Sequence, residues 1–369
     1  MSAFSSVGLS DAVCDEVAAR AWQHRLTAPR RAPVHPLVLA SAKKRITADG
    51  FRVEEGRLGS WINTTRIFHM THIAKTGGRS VRSEMLRLVR PVGGAEQCYP
   101  PFAHASRVNV IFFREPRGHV LSQYLHGAYA GKAAKRRAAG FPHVDGDDIA
   151  GLARWAAHFA RGWTPAAGDF LGYNPLNMMA RTLTCRDERW NCDYITSCDA
   201  PCAHHVGQDA ADATPPLGAA LAAVHTADFV GVLELLPEAL CLFEYRATGA
   251  LPASCRCAEG GGGADDGGGE PSRGRAHVMN ARSQRSRAKK VTMADAPPEV
   301  LADVDAITAV DAKVYRAAVL RLLCDIRALE EAAGARVLCP ARLAKLRAAT
   351  SYIPRLWGRG ANASARYDR

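Results

Sequence analysis

The sequence predicts an α/β domain: a parallel sheet flanked by helices. Three observations lead there. Short apolar runs alternate along the chain with segments of helical periodicity, the order of repeated strand–helix units. One of them, Val108 to Phe113, is a short apolar run of the kind expected of a buried parallel strand. The turns that leave the strands carry glycine or proline where a helix is about to begin.

The elements follow in order. Residues 1–60 read as an N-terminal extension, partly helical around Leu9 to Leu26. From Trp61 the pattern changes, and residues 61–335 read as the main domain. Arg66 to Ile73 is a predicted strand, with Ile67, Phe68, Met70 and Ile73 too dense for one helical face. After Gly77 and Gly78, the residues Val81, Met85, Leu88 and Val89 recur at i, i+4, i+7 and i+8, the buried stripe of a helix that ends before Pro91. Val108 to Phe113 is the second strand. Pro116 opens a helix with Val120, Leu121, Tyr124 and Leu125 on one side. Asp228 to Leu233 is the third strand, leading into a helix that holds Leu240, Leu242, Phe243 and Tyr245. Residues 258–272 are a Gly/Asp-rich loop, followed by a basic run from Arg273 to Lys290. A single long helix is expected from Pro298 to Glu331. Residues 336–369 read as a basic tail, loosely held after Pro340.

Forty-eight Lys and Arg against 36 Asp and Glu leave a net charge of +12 over 369 residues. Anionic partners are implied, and nucleic acid, acidic polysaccharide, a membrane surface and a polyphosphorylated nucleotide all satisfy the charge. No aromatic stacking motif accompanies the basic runs, which argues against nucleic acid. Eleven cysteines are many for a reducing compartment. Six of them, Cys185, Cys192, Cys198, Cys202, Cys255 and Cys257, read either as disulfides or, for Cys198 and Cys202 with His204 or His205, as a zinc site of no standard spacing. Asn63-Thr64-Thr65 and Asn362-Ala363-Ser364 are glycosylation acceptor triplets. No run approaches the roughly 20 apolar residues that span a bilayer, and Met1 to Arg20 lacks the basic-then-apolar pattern of a signal peptide.

Two stretches carry the chemistry. His72-Ile73-Ala74-Lys75-Thr76-Gly77-Gly78-Arg79-Ser80 lies between a strand and a helix, where free N–H groups and the helix dipole favour an anion. The glycines let backbone approach a phosphate, Lys75 adds charge, and Thr76 and Ser80 add hydroxyls. A nucleoside-triphosphate loop would place its lysine after the glycines, and here it comes first. The second stretch, Phe113-Arg114-Glu115-Pro116-Arg117-Gly118-His119-Val120-Leu121-Ser122-Gln123-Tyr124, ends a strand in Arg114 and returns Ser122 two turns later. An arginine fork with a hydroxyl suits a phosphate dianion.

Together and in this order, the two stretches resemble the sulfotransferases that use 3′-phosphoadenosine 5′-phosphosulfate (PAPS). The resemblance is closest to the Golgi carbohydrate enzymes of the heparan sulfate 2-O and 6-O and galactose 3-O type. Tyr173 to Met179, Phe229 to Glu234 and Asp311 to Tyr315 resemble further segments of that family, so that the likeness spans residues 66–328. It implies a P-loop NTPase-like sheet of the sulfotransferase type, a carbohydrate acceptor with acidic glycans among the candidates, residence in the Golgi lumen or secretory pathway, and no metal. Lys75, Thr76, Gly77, Gly78, Arg79 and Ser80 would bind the 5′-phosphosulfate, and Arg114 and Ser122 the 3′-phosphate. His104 stands where related enzymes carry a catalytic histidine and is the expected base, with His69, His72 and Glu84 as substitutes. Gly131 to Arg137 could grip an acidic acceptor, and Arg273, Arg275, Arg282, Arg285 and Arg287 could close over the nucleotide. The sequence departs from the family at Ala74, at Arg79, at Gly118, and at His119, where the family has an arginine. A magnesium-dependent nucleotide kinase and a non-catalytic basic binder of glycan or nucleic acid are the competing classes.

Overall fold

The computed structural model describes residues 13–17, 19, 67–89, 92–93, 98–99, 107–129, 149–162, 174–184, 215–257, 292–354 and 356–357. These form a mixed α/β fold, mostly helical, around a small parallel sheet. Strands β1 (Ile67–Thr71), β2 (Val92–Gly93), β3 (Arg107–Phe113) and β4 (Phe229–Val232) lie in the order β2-β1-β3-β4, with each neighbouring pair parallel. In register, Thr71 faces Ile111 and Phe113 faces Val232, so β1, β3 and β4 deliver their C-terminal ends to one edge. The three strands expected from sequence are present, and the two-residue β2 adds an edge that its short apolar content did not reveal. Because the chain leaves β1 for β2 on one side and returns to β3 on the other, the crevice between β1 and β3 is a topological switch point, the usual place for a ligand in an open parallel sheet.

The helices are α1 (Gly78–Leu88), α2 (Pro116–Tyr129), α3 (Ile149–Ala157), α4 (Met178–Thr184), α5 (Leu217–Thr226), α6 (Leu236–Thr248), α7 (Pro298–Ile307), α8 (Ala309–Ala333) and α9 (Pro340–Ala349). Val81 and Met85 of α1 are fully buried, as their spacing predicts. Phe243 of α6 meets Phe68 and Phe229 edge-on at 5.7 and 5.4 Å, joining helix to sheet through aromatic contacts. A second apolar cluster joins α2, α3 and α7 through Val120, Tyr124, Leu152, Trp155, Val300 and Val304.

Two expectations are corrected. The helix expected from Pro298 to Glu331 is broken at Thr308 into α7 and α8. The break is made by a residue far away in sequence. The Asn177 backbone N–H donates to the Ile307 carbonyl, ending α7, while its Oδ1 accepts from Val310 N–H at 2.9 Å, beginning α8. Asp311 reciprocates, its carboxylate accepting from Met179 and Ala180 N–H at 3.1 and 2.8 Å at the start of α4. Nor are residues 340–357 a loose tail. Leu343, Leu346, Ile353 and Leu356 join the main core, an apolar pattern outweighed in the sequence by its basic neighbours.

Among the described residues, disulfides join Cys14 to Cys324, Cys241 to Cys255 and Cys257 to Cys339, and Cys98 is also disulfide-bonded. Such bonds belong to an oxidising, secretory-type compartment. The first ties residues 13–17, which are helical, to α8, and the third ties the start of α9 to the segment after α6. Cys185, Cys192, Cys198 and Cys202 lie outside the described residues. Among those described, no helix is long and apolar enough to cross a membrane.

Candidate functional site

At the switch point, β1 runs into a loop, 72–77, before α1 begins. The backbone there changes hand twice. Lys75 and Gly77 have φ of 68° and 81°, whereas Thr76 and Gly78 stay out of the left-handed region. Alternation of this kind turns successive N–H groups into one concavity, a nest for an anion. Glycine suits the second left-handed position, and Lys75 holds the first against the ordinary preference of an L-residue. Gly78 is required by space. A Cβ there would lie 2.0 Å from the His72 ring, which packs on the glycine backbone. Helix α1 then starts from Gly77 with no side-chain cap and no acidic residue in its first turn, leaving its N-terminal N–H groups and positive dipole end for a ligand.

Thr76 is fully buried, and its hydroxyl and backbone N–H both donate to the Ile73 carbonyl, at 2.8 and 3.3 Å. This residue therefore closes the loop, with its hydroxyl hydrogen spent on the chain's own carbonyl. Lys75 and Ser80 are half-buried at the surface of the site.

The end of β3 holds the loop from the side. Arg114 Nη1 donates to the Lys75 carbonyl at 3.3 Å. At the fourth residue of α2, the His119 ring sits 2.6 Å from the Ala74 carbonyl through Nε2, with the residue fully buried. A carbonyl can only accept, so Nε2 carries the hydrogen and Nδ1 is bare. Burial, and the positive charges of Arg114 and Lys75, push this imidazole down to about 3 against the pull of the Ala74 bond. It is neutral at physiological pH. His119 thus stands under the loop, where the family pattern has an arginine.

Behind Arg114 lies a network that the sequence reading did not assign. Glu234, one residue past the Leu233 that packs on Gly77, accepts from Glu115 N–H at 2.9 Å and from the Tyr315 hydroxyl at 2.7 Å. Glu115 accepts from the N–H groups of Arg117 and Gly118, at 2.9 and 2.5 Å, and from the Tyr352 hydroxyl. Burial raises both carboxyls, those hydrogen bonds hold them down, and Arg114 also lowers Glu234. Burial lowers the Arg114 guanidinium against the pull of both carboxylates, and an arginine keeps its charge all the same. Arg117 lies 3.7 Å over the Tyr352 ring and forms a two-pronged pair with Asp305 at 2.8 and 2.7 Å. An acidic residue before a proline at a helix start is a capping signal that could have identified Glu115. Nothing local could have identified Tyr352.

The other expected residues divide. His69 is buried in β1, His72 packs on Gly78, and Glu84 pairs with Arg87 at 3.1 Å on α1, so none of the substitute bases stands clear in the site. Ser122 is half-buried on α2, three residues past His119 and therefore on the same side of the helix. His104, residues 131–137 and the run 273–290 lie outside the described residues, as does the side chain of Arg79. No protein-family model, curated protein or solved structure matches this chain.

Proposed function

We propose that the chain is a PAPS-dependent sulfotransferase acting on a hydroxyl of a carbohydrate, an acidic glycan among the candidates, on a P-loop NTPase-like sheet of the sulfotransferase type. The observation that carries the reading is the nest of alternating hand from Lys75 to Gly78, set at the switch point, with Arg114 reaching in from the next strand to the Lys75 carbonyl. Nest, lysine and arginine together recognise a nucleotide with phosphate groups at two places. The sequence resemblance supplies the identity of that nucleotide. A lumenal setting along the secretory pathway, the Golgi included, accords with the disulfides.

In the reaction, the acceptor oxygen attacks sulfur in line, an S–O bond forms to it, and the bond from sulfur to the bridging phosphate oxygen breaks. Adenosine 3′,5′-bisphosphate leaves, and the acceptor's proton goes to a base, assigned in this proposal to His104. The transfer resembles phosphoryl transfer, in which positioning and electrostatics do most of the catalysis. Lys75 and the N–H groups of Gly77, Gly78, Arg79 and Ser80 neutralise charge building on the leaving phosphate, while Arg114 and Ser122 hold the 3′-phosphate. No metal is needed for these steps.

The test is PAPS turnover with a panel of glycans, comparing wild type with Lys75→Ala and His104→Ala. Sulfated product that disappears in Lys75→Ala supports the transferase, and its loss in His104→Ala with adenosine 3′,5′-bisphosphate binding retained supports the base. If wild type neither binds nor consumes PAPS, the transferase reading is wrong, and a basic glycan-binding or nucleic-acid-binding protein on the same fold replaces it.

A further inference from the structure

We propose that His119 is a positioning residue for the donor nucleotide, acting through the Ala74 carbonyl to set the hand of the loop at Lys75. The inference rests on the sulfotransferase reading for the identity of the ligand, but not for the geometry. Two consecutive carbonyls, Ala74 and Lys75, are each held from the α2 side, by His119 at 2.6 Å and by Arg114 at 3.3 Å. Holding both fixes the two peptide planes on either side of the Lys75 Cα, and with them its dihedrals, φ being 68°. With the carbonyls drawn away, and the Thr76 N–H spent on Ile73, the N–H groups from Gly77 onward are left for the anion. An L-residue in this conformation is strained by roughly 1–2 kcal/mol and persists only where its surroundings dictate it; His119 and Arg114 are those surroundings.

The fully buried ring has its one N–H committed to Ala74, and its bare Nδ1 has no hydrogen-bond partner. Wholly covered beneath the loop, the ring has no exposed atom to offer an acceptor hydroxyl, and the proposal does not make it the base. The required chemistry is a neutral donor at the distance of Nε2. A glutamine amide reaches about as far from the backbone as Nε2, whereas an asparagine amide reaches only as far as Nδ1. His119→Gln therefore keeps the clamp, and His119→Asn and His119→Ala break it.

The experiment measures KM for PAPS, KM for the glycan acceptor, affinity for adenosine 3′,5′-bisphosphate, and amide hydrogen exchange over residues 74–80 in the four proteins. The expected result is a rise of about tenfold or more in PAPS KM and bisphosphate Kd for the Asn and Ala variants, as the loss of a buried hydrogen bond implies. Acceptor KM stays within about twofold, exchange over 74–80 is faster, and His119→Gln restores all of these toward wild type. Equal behaviour of Gln and Ala, or unchanged exchange and Kd in Ala, overturns the proposal. Exchange is read on the free protein. A wild type inert toward PAPS but with loop exchange dependent on residue 119 therefore discards the transferase and keeps the positioning role.

Discussion

The chain makes a strand-to-helix turn at the C-terminal edge of its sheet after β1 and again after β3, and the two turns end in opposite chemistry. After β1, the helix starts from Gly77 with no side-chain cap and no acid in its first turn. After β3, Glu115 folds its own carboxylate onto the N–H groups of Arg117 and Gly118. The same partial positive charge is thus left open at one junction and neutralised from within at the other. The start of α4 follows the second pattern, closed by Asp311. The proposed anion site therefore rests not on an uncapped helix start alone, which α5 and α9 share, but on the one at the switch point that the chain also curls into a nest.

The largest effect is expected at the open junction. Lys75→Ala should lower turnover about 10²–10³-fold, the range seen when one preorganised electrostatic contact is removed, and Gly78→Ala should cost donor affinity because its methyl must displace the His72 ring. Calorimetry with adenosine 3′,5′-bisphosphate separates the two effects; retained binding and turnover in both variants would remove the distinction between the junctions.

The next effect is a pH dependence at the closed start of α4. Burial raises Asp311 to about 7 from its ordinary 3.8, against the Ala180 and Met179 hydrogen bonds and the nearby Arg181. Because the folded value lies above the unfolded one, the contribution is complete below about pH 4 and is lost as pH rises through 7. It amounts to at most about 4 kcal/mol. Thermal unfolding of wild type from pH 4.5 to 8 should show that decline and Asp311→Asn should lack it; identical slopes would contradict the assignment.

Glu115→Gln comes third. A single amide oxygen replaces a carboxylate that serves Arg117, Gly118 and Tyr352, and a donor left without a partner costs about 1–3 kcal/mol. The melting temperature should fall while bisphosphate affinity stays within about twofold, since Glu115 spends its carboxylate on the start of α2 and leaves the 3′-phosphate to Arg114 and Ser122; a collapse of affinity would show that Glu115 takes part in binding. The smallest effect has the opposite sign. Gln123 is buried on α2 with neither amide atom hydrogen-bonded, so Gln123→Met should raise stability by about 1 kcal/mol in a denaturant titration.

The legible part of the site was local. Strand, glycine pair and helix stripe around Lys75 are contiguous, and so are Arg114, Pro116 and the helix after them. What escaped was the support. His119 reads in sequence as a weakened arginine position and in the structure as the prop under Ala74, because only folding brings Ala74 within reach of a residue 45 positions away. Thr76 reads as a ligand hydroxyl, yet its donors close the turn. The break at Thr308 and the docking of residues 340–357 were missed for a related reason: each depends on a partner far along the chain, Asn177 for the first and the main core for the second.

By itself the sequence determined the class of the fold, the strands that meet at the switch point, and the two stretches that bring charge to it. Those follow from periodicity and from residues whose conformational limits are local. The tertiary structure decided which helix start is curled into a nest, which carboxylates are consumed as caps, and how the loop at Lys75 is held in its left-handed turn. Capping and clamping are contests between donors and acceptors for the nearest partner, and nearness across 45 or 237 residues exists only once the chain has folded.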